Sequence, residues 1–289
     1  MTFWINYPPY RNMMHYISKE KIQEQKPNKT NYMISQISEN ISHSEKVAFR
    51  KTVMLALILV LFLLLSCSDN STSVNGDDDP VTIQDIDQHT YPVVRIGNQL
   101  WMAENLAVTR YRNGDAIPEV QGETDWIALN AGAWSRYNHL VANDLNFGKL
   151  YNWFAVSDPR GICPEGWKVP SDDDWKTLER HLGMSAQEAN SSMKRGADAN
   201  AGGKLKSGSF WESPNTGANN ESGFNGNPGG RRVPTDGSFS DINRFGYWWT
   251  ASEQNQAEAI YRSLYFQDAD ILRFYVNKKQ GFSVRCIKG

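Results

Sequence analysis

Apolar and polar positions divide the chain into three zones. Val53 to Leu65 is an unbroken apolar run. Residues 1–50 ahead of it are rich in Asn, Ser, Lys and Gln and show no amphipathic period, and Ser68 to Pro80 behind it carries nothing that could pack. From Asp85 onward, short apolar runs alternate with Gly and Asn turn signals as far as Cys286. Pro92 to Ile96 and Gln99 to Met102 flank Gly97-Asn98 and read as a hairpin. Phe147 to Val156 is dense in aromatics, and its period fits strand and helix equally. Ser171 with Asp174 three residues on is a capping-box start, and Trp175, Leu178 and Leu182 share one helical face, so a helix is expected to Leu182. Three aspartates in its first turn suit the positive end of the macrodipole. A weaker helix is expected from Ser185 to about Arg195, then a short extended piece at Lys204 to Lys206. After Gly246 to Glu253, the runs 260–266, 271–276 and 281–287 are separated by turn residues and read as an antiparallel meander.

The N-terminal third is not domain material. The apolar run is too short for a comfortable bilayer span, which needs roughly 20 residues. Lys46, Arg50 and Lys51 precede it, the layout of a secretory signal. It ends in Leu64-Leu65-Ser66-Cys67, which resembles the lipobox of bacterial lipoproteins. Lipidation at Cys67 is therefore expected, with a start of translation near Val47 and removal up to Ser66. The organisation expected is an N-terminal extension and signal over 1–67, a flexible acidic tether over 68–84 and one domain over 85–289. Asp77 to Asp79 form a bare run, without the spaced oxygen ligands and turn glycine of a calcium loop.

Charge then narrows the partners. Residues 67–289 hold 22 basic and 28 acidic residues, a net of −6, with no Lys/Arg cluster. This argues against a nucleic-acid partner. Two cysteines remain after Cys67. In an exported chain Cys163 and Cys286 invite a disulfide, the alternative being two buried thiols. Phe282, Val284 and Cys286 fall on one strand face, which points Cys286 inward.

Six motifs stand in order: Gly97 to Leu106 (GNQLWMAENL), Gly148 to Trp153 (GKLYNW), Cys163 to Asp172 (CPEGWKVPSD), Gly223 to Asn225 (GFN), Gly246 to Glu253 (GYWWTASE) and Gly281 to Cys286 (GFSVRC). Together they resemble the Fibrobacter succinogenes major paralogous domain, found in exported bacterial proteins, often lipoproteins, with no assigned function. The layout is also similar to the C-type-lectin-like fold, which implies an α+β class: short antiparallel strands, two helices, a long irregular loop region and a C-terminal meander. The formylglycine-generating-enzyme superfamily shares that fold, and its helix start resembles Val169 to Trp175. The calcium-lectin motifs are absent, and Trp249 is followed by Thr250-Ala251, so the resemblance implies a shape and not sugar-binding chemistry.

Catalytic signatures are missing from the sequence. The five histidines are scattered, and no HExxH, Cys-x-x-Cys, nucleophile elbow or P-loop occurs. No metal or cofactor is expected. The expected function is non-enzymatic: a protein held to the membrane through lipid on Cys67, at the outer membrane or cell surface, binding a polysaccharide or a protein. A two-carboxylate hydrolase on the same scaffold and a purely structural envelope protein stay open on sequence alone. The Gly/Asn/Ser/Pro-rich region 208–246 is the expected binding surface, with Trp211, Phe224 and Phe239 as candidate ligand contacts. In the pair Trp248-Trp249, neighbours on a strand face opposite ways, so one at most can serve a surface.

Overall fold

The structure, a computed structural model, describes residues 81–289. Cys67, the apolar run and the tether as far as Pro80 lie outside the described residues. A five-stranded antiparallel sheet has the order β1 (Thr82–Gln84), β2 (Thr90–Ile96), β3 (Gln99–Met102), β13 (Ile287–Lys288) and β6 (Trp167–Lys168). A four-stranded antiparallel sheet has the order β10 (Phe245–Glu253), β11 (Glu258–Tyr265), β12 (Ile271–Asn277) and β7 (Met193–Arg195). Two small pairs complete the strands: β4 (Trp134–Ser135) with β5 (Leu150–Tyr151), and β8 (Arg231–Arg232) with β9 (Phe239–Ser240). The helices are short: α1 (Glu123–Ala128), α2 (Val141–Phe147), α3 (Trp153–Val156), α4 (Asp172–His181), α5 (Ala186–Asn190) and α6 (Ala201–Leu205).

Several expectations hold in detail. Gly97, at φ +61°, turns β2 into β3, with Ile96 opposite Gln99. Ser171 Oγ accepts the Asp174 N–H while the Asp174 carboxylate accepts the Ser171 N–H, which closes the capping box of α4. The ambiguous segment 147–156 is both things in turn: two strand residues, then a helical turn capped by Asn152. Cys163 and Cys286 form a disulfide across 123 residues of chain.

Other expectations need correction. Strand β1 lies inside the stretch assigned to the tether, because Thr82 to Gln84 pair with Pro92 to Thr90. The expected second helix ends at Asn190, and Met193 to Arg195 turn into an edge strand against β12. Lys204-Leu205 is helical and not extended. Gly202 and Gly203 let α6 press on its neighbours: a Cβ on Gly203 would stand 2.1 Å from the Gly217 carbonyl oxygen. The last run, 281–287, does not extend the meander, whose three strands are β10, β11 and β12. The free side of β12 is taken by β7, and the final run crosses to the other sheet, where Ile287 pairs with both Trp101 and Lys168.

Strand β10 separates two cores. Tyr247 and Trp249 face a cluster with Phe282, Val284, Cys286 and Trp153. Trp248 faces the opposite cluster, with Trp101, Trp175, Leu178 and Phe224. Trp248 is 1% and Trp249 0% exposed, so neither serves a surface. The alternation expected of a strand is present, but both of its faces are covered: α3 lies on one and α4 on the other, while Ser283 bonds along the strand's edge. At roughly 200 Å² each, the two indoles contribute about 5 kcal/mol apiece in transfer free energy at ~25 cal/mol/Å².

The 207–246 excursion is ordered by backbone bonds to its surroundings, among them Gly226 N–H to Leu205 O, Thr216 N–H to Phe266 O and Asn219 N–H to Gly203 O. Its many asparagines have a backbone reason. Asn215, Asn220, Asn225 and Asn243 take left-handed φ of 46°, 49°, 54° and 64°, a region that asparagine tolerates better than other side-chain-bearing residues. Buried cations gather carbonyls that no ladder uses. Arg232 donates to the carbonyls of Val120, Gln121, Gly122 and Gly237 between the rings of Trp126 and Phe239. Arg285 donates to those of Met102 and Phe224.

Candidate functional site

Exposed large apolar side chains concentrate at one place. Leu140 (56% exposed), Val141 (65%) and Leu145 (83%) stand on and just before α2, and Phe210 (45%) stands on the loop. Val141, Leu145 and Phe210 line a cleft of about 670 Å³, together with Asp87, His89, Glu104, Asn105, Asp144, Phe147, Lys149, Asn225 and Asn227. Three parts of the chain therefore meet here: the β2–β3 region with its following segment, α2, and the long loop.

Helix α2 sets the outer wall. Val141 and Leu145 are four residues apart and share its outward face, while Phe147 turns inward and is buried. The helix stops at Gly148, φ +69°, where a Cβ would come within 2.8 Å of the Leu106 carbonyl oxygen and 2.9 Å of Asn105. That close approach brings α2 against the strand segment and closes the end of the cleft. Phe210 packs edge-on against Phe147 at 5.2 Å between ring centres.

The floor is polar and largely committed. Asp144 Oδ2 accepts from Arg136 Nε at 2.9 Å and Lys149 Nζ at 2.7 Å, and both cations lie over the Trp134 ring. Asn105 Nδ2 donates to the Phe147 carbonyl at 2.8 Å. Its Oδ1 accepts from Trp248 Nε1 at 2.8 Å and Arg285 Nη2 at 2.7 Å. Burial pushes the Arg285 guanidinium down to about 9. Burial alone would raise the Asp87 carboxyl, but hydrogen bonds from the Thr109 amide, the Thr109 hydroxyl and Arg110 hold it below the ordinary carboxylate value. Two buried acceptors have no donor, Asp144 Oδ1 and Asn227 Oδ1. Glu104 and His89 are exposed at the mouth.

This arrangement suits binding more than proton transfer. Asp87, held ionised, is a poor proton donor near neutral pH. Among the described residues, no group of three or more His, Cys, Asp or Glu side chains is placed to hold a metal ion.

The loop aromatics named from the sequence do not come together. Phe224 is a core residue, 0% exposed, edge-on to Trp101 and Trp248. Trp211 is half-buried, with its indole N–H bonded to the Gly226 carbonyl. Phe239 is half-buried against Tyr137, His139 and Arg232. None of the three lines the cleft; the loop's contributions are Phe210, Asn225 and Asn227. The signal that marks the wall is the i, i+4 pair Val141 and Leu145 in a short helix with no apolar partner outside it.

The family model of the Fibrobacter succinogenes major domain matches residues 94–288. No curated protein and no solved structure matches the chain.

Proposed function

The chain belongs to the Fibrobacter succinogenes major domain family, and we propose that it is an exported, lipid-anchored envelope protein whose domain binds a segment of another protein, without catalysis, in the cleft between α2 and the long loop. The anchor rests on the Val53 to Leu65 run and the Leu64-Leu65-Ser66-Cys67 ending. A C-type-lectin-like arrangement is the architecture we assign to the domain, on the order of its motifs and the long loop set before a meander. The ligand reading rests on one observation: three exposed large apolar side chains, Val141, Leu145 and Phe210, stand together on the wall of one cleft. Exposed aliphatic surface next to a polar floor favours an apolar side chain on a peptide backbone over a sugar ring, which stacks on aromatic faces.

A peptide array of envelope-protein sequences, run beside a panel of envelope polysaccharides, tests this. Leu145→Asp and Phe210→Ala should each weaken peptide binding at least about tenfold, ~1.4 kcal/mol, with thermal stability unchanged for Leu145→Asp, whose side chain is 83% exposed. Binding to polysaccharide alone, or peptide binding indifferent to both substitutions, would overturn it.

A further inference from the structure

Lys206 follows α6, and its side chain is fully buried. No carboxylate pairs with it; Asp268, the acid whose charge it feels, is bonded to Lys194. Its ammonium instead donates to three peptide carbonyls: Thr216 O at 2.6 Å, Asp268 O at 2.8 Å and Tyr265 O at 3.1 Å. The Trp211 ring lies 5.6 Å from the nitrogen. An ammonium has three protons, and three oxygens saturate it. Carbonyl oxygens converging on one desolvated point are also how proteins replace the water shell of a monovalent cation. The three oxygens come from separate segments: the loop, the end of β11 and the turn that follows it. Burial pushes the ammonium down to about 8, which still leaves it protonated at neutral pH. The ammonium can donate to all three carbonyls and the neutral amine to only two, so the cage opposes that fall.

We propose that this cage is a monovalent-cation site filled by the chain's own Lys206 ammonium, which locks the 207–226 excursion onto the meander. The loop thereby has a fixed charge at its base and needs no ion from solution. The same loop carries Phe210 and Asn225, but the lock is independent of any ligand in the cleft.

Lys206→Ala in the full-length protein removes a piece the size of n-propylammonium. Its Tm should fall by roughly 5–10 °C. Added n-propylammonium chloride should restore most of that loss, more than it raises the wild type and more than equimolar 1-propanol or sodium chloride. If propanol restores as much, the site is an apolar channel and the cation reading is overturned. A wild-type Tm for Lys206→Ala overturns it equally. Should Lys206→Ala fail to fold, Lys206→Met keeps the stem and removes the charge. Amide exchange at Thr216 and Asn219 should then quicken about tenfold or more, and unchanged exchange overturns the lock.

Discussion

Asp172, Asp173 and Asp174 open one helix and have three different fates. Asp174 closes the capping box and pairs with Lys168. Asp173 is solvent-exposed and meets Lys176. Asp172 points inward, where Arg262, Arg273 and Lys176 surround it at 2.7–2.8 Å. Two turns further on, Glu179 is fully buried between Arg195 and Arg262, both at 2.6 Å. Capping explains one aspartate from sequence; the inward role of Asp172 depends on arginines some ninety and a hundred residues away, which no local pattern can place. Burial alone would raise its carboxyl, but the hydrogen bond from Arg273, the charge of Arg262 and the contact with Lys176 together hold it well below the ordinary range. The folded value is the lower one, so the unfolded chain takes up protons first in acid. The stabilisation from Asp172 is complete above the unfolded value, near pH 4, and drains away as pH falls below it. The gap between denaturant melts of wild type and Asp172→Asn should therefore be constant from pH 7 to about pH 4 and narrow steadily from there to pH 3. A gap that stays constant down to pH 3 would remove the Asp172 network as its cause.

At the scale of elements, β10 shows how far periodicity reaches. Alternation puts Trp248 and Trp249 on opposite faces, and they are. Alternation does not say how many faces are covered, since that depends on what packs above and below. Each indole N–H also has a distant acceptor, Asn105 Oδ1 for Trp248 and the Tyr151 carbonyl for Trp249, both at 2.8 Å. Trp248→Phe and Trp249→Phe should each cost about 1–3 kcal/mol, from one lost hydrogen bond and the space that the smaller ring leaves in a packed core, since each acceptor keeps a second donor. Because the two rings lie in separate clusters, the double variant should lose the sum to within about 0.5 kcal/mol. A larger coupling, read from urea melts, would mean the two cores are one. The same limit explains the last run, 281–287. Its apolar spacing reads as a strand, but β7 already holds the edge of β12, so the run meets the meander only through a parallel bridge from Ser283 to Trp248 and then pairs with β3 and β6.

For the whole molecule, the anchor and the domain are separate questions. The proposed lipidation rests on local sequence alone, so Cys67→Ala should shift the protein from the detergent-rich phase to the aqueous phase on detergent phase partitioning, and should end incorporation of labelled fatty acid. Equal labelling of the variant would remove the anchor. The domain is held by features that close over long distances. The Cys163–Cys286 bridge spans 123 residues, for which chain entropy corresponds to about 4–5 kcal/mol. Lys206, Arg232 and Arg285 collect carbonyls from segments far apart in sequence. Sequence by itself determined the family, through six short motifs in order, and the hairpin at Gly97, the capped helix at Ser171 and the inward Cys286, because each motif or element is a pattern within one to ten neighbouring residues. The tertiary structure alone decided which aromatics are core, where the last run pairs, and that Val141, Leu145 and Phe210 share a cleft wall. Those outcomes turn on which distant surfaces remain to cover a given face, and that is a property of the packed whole.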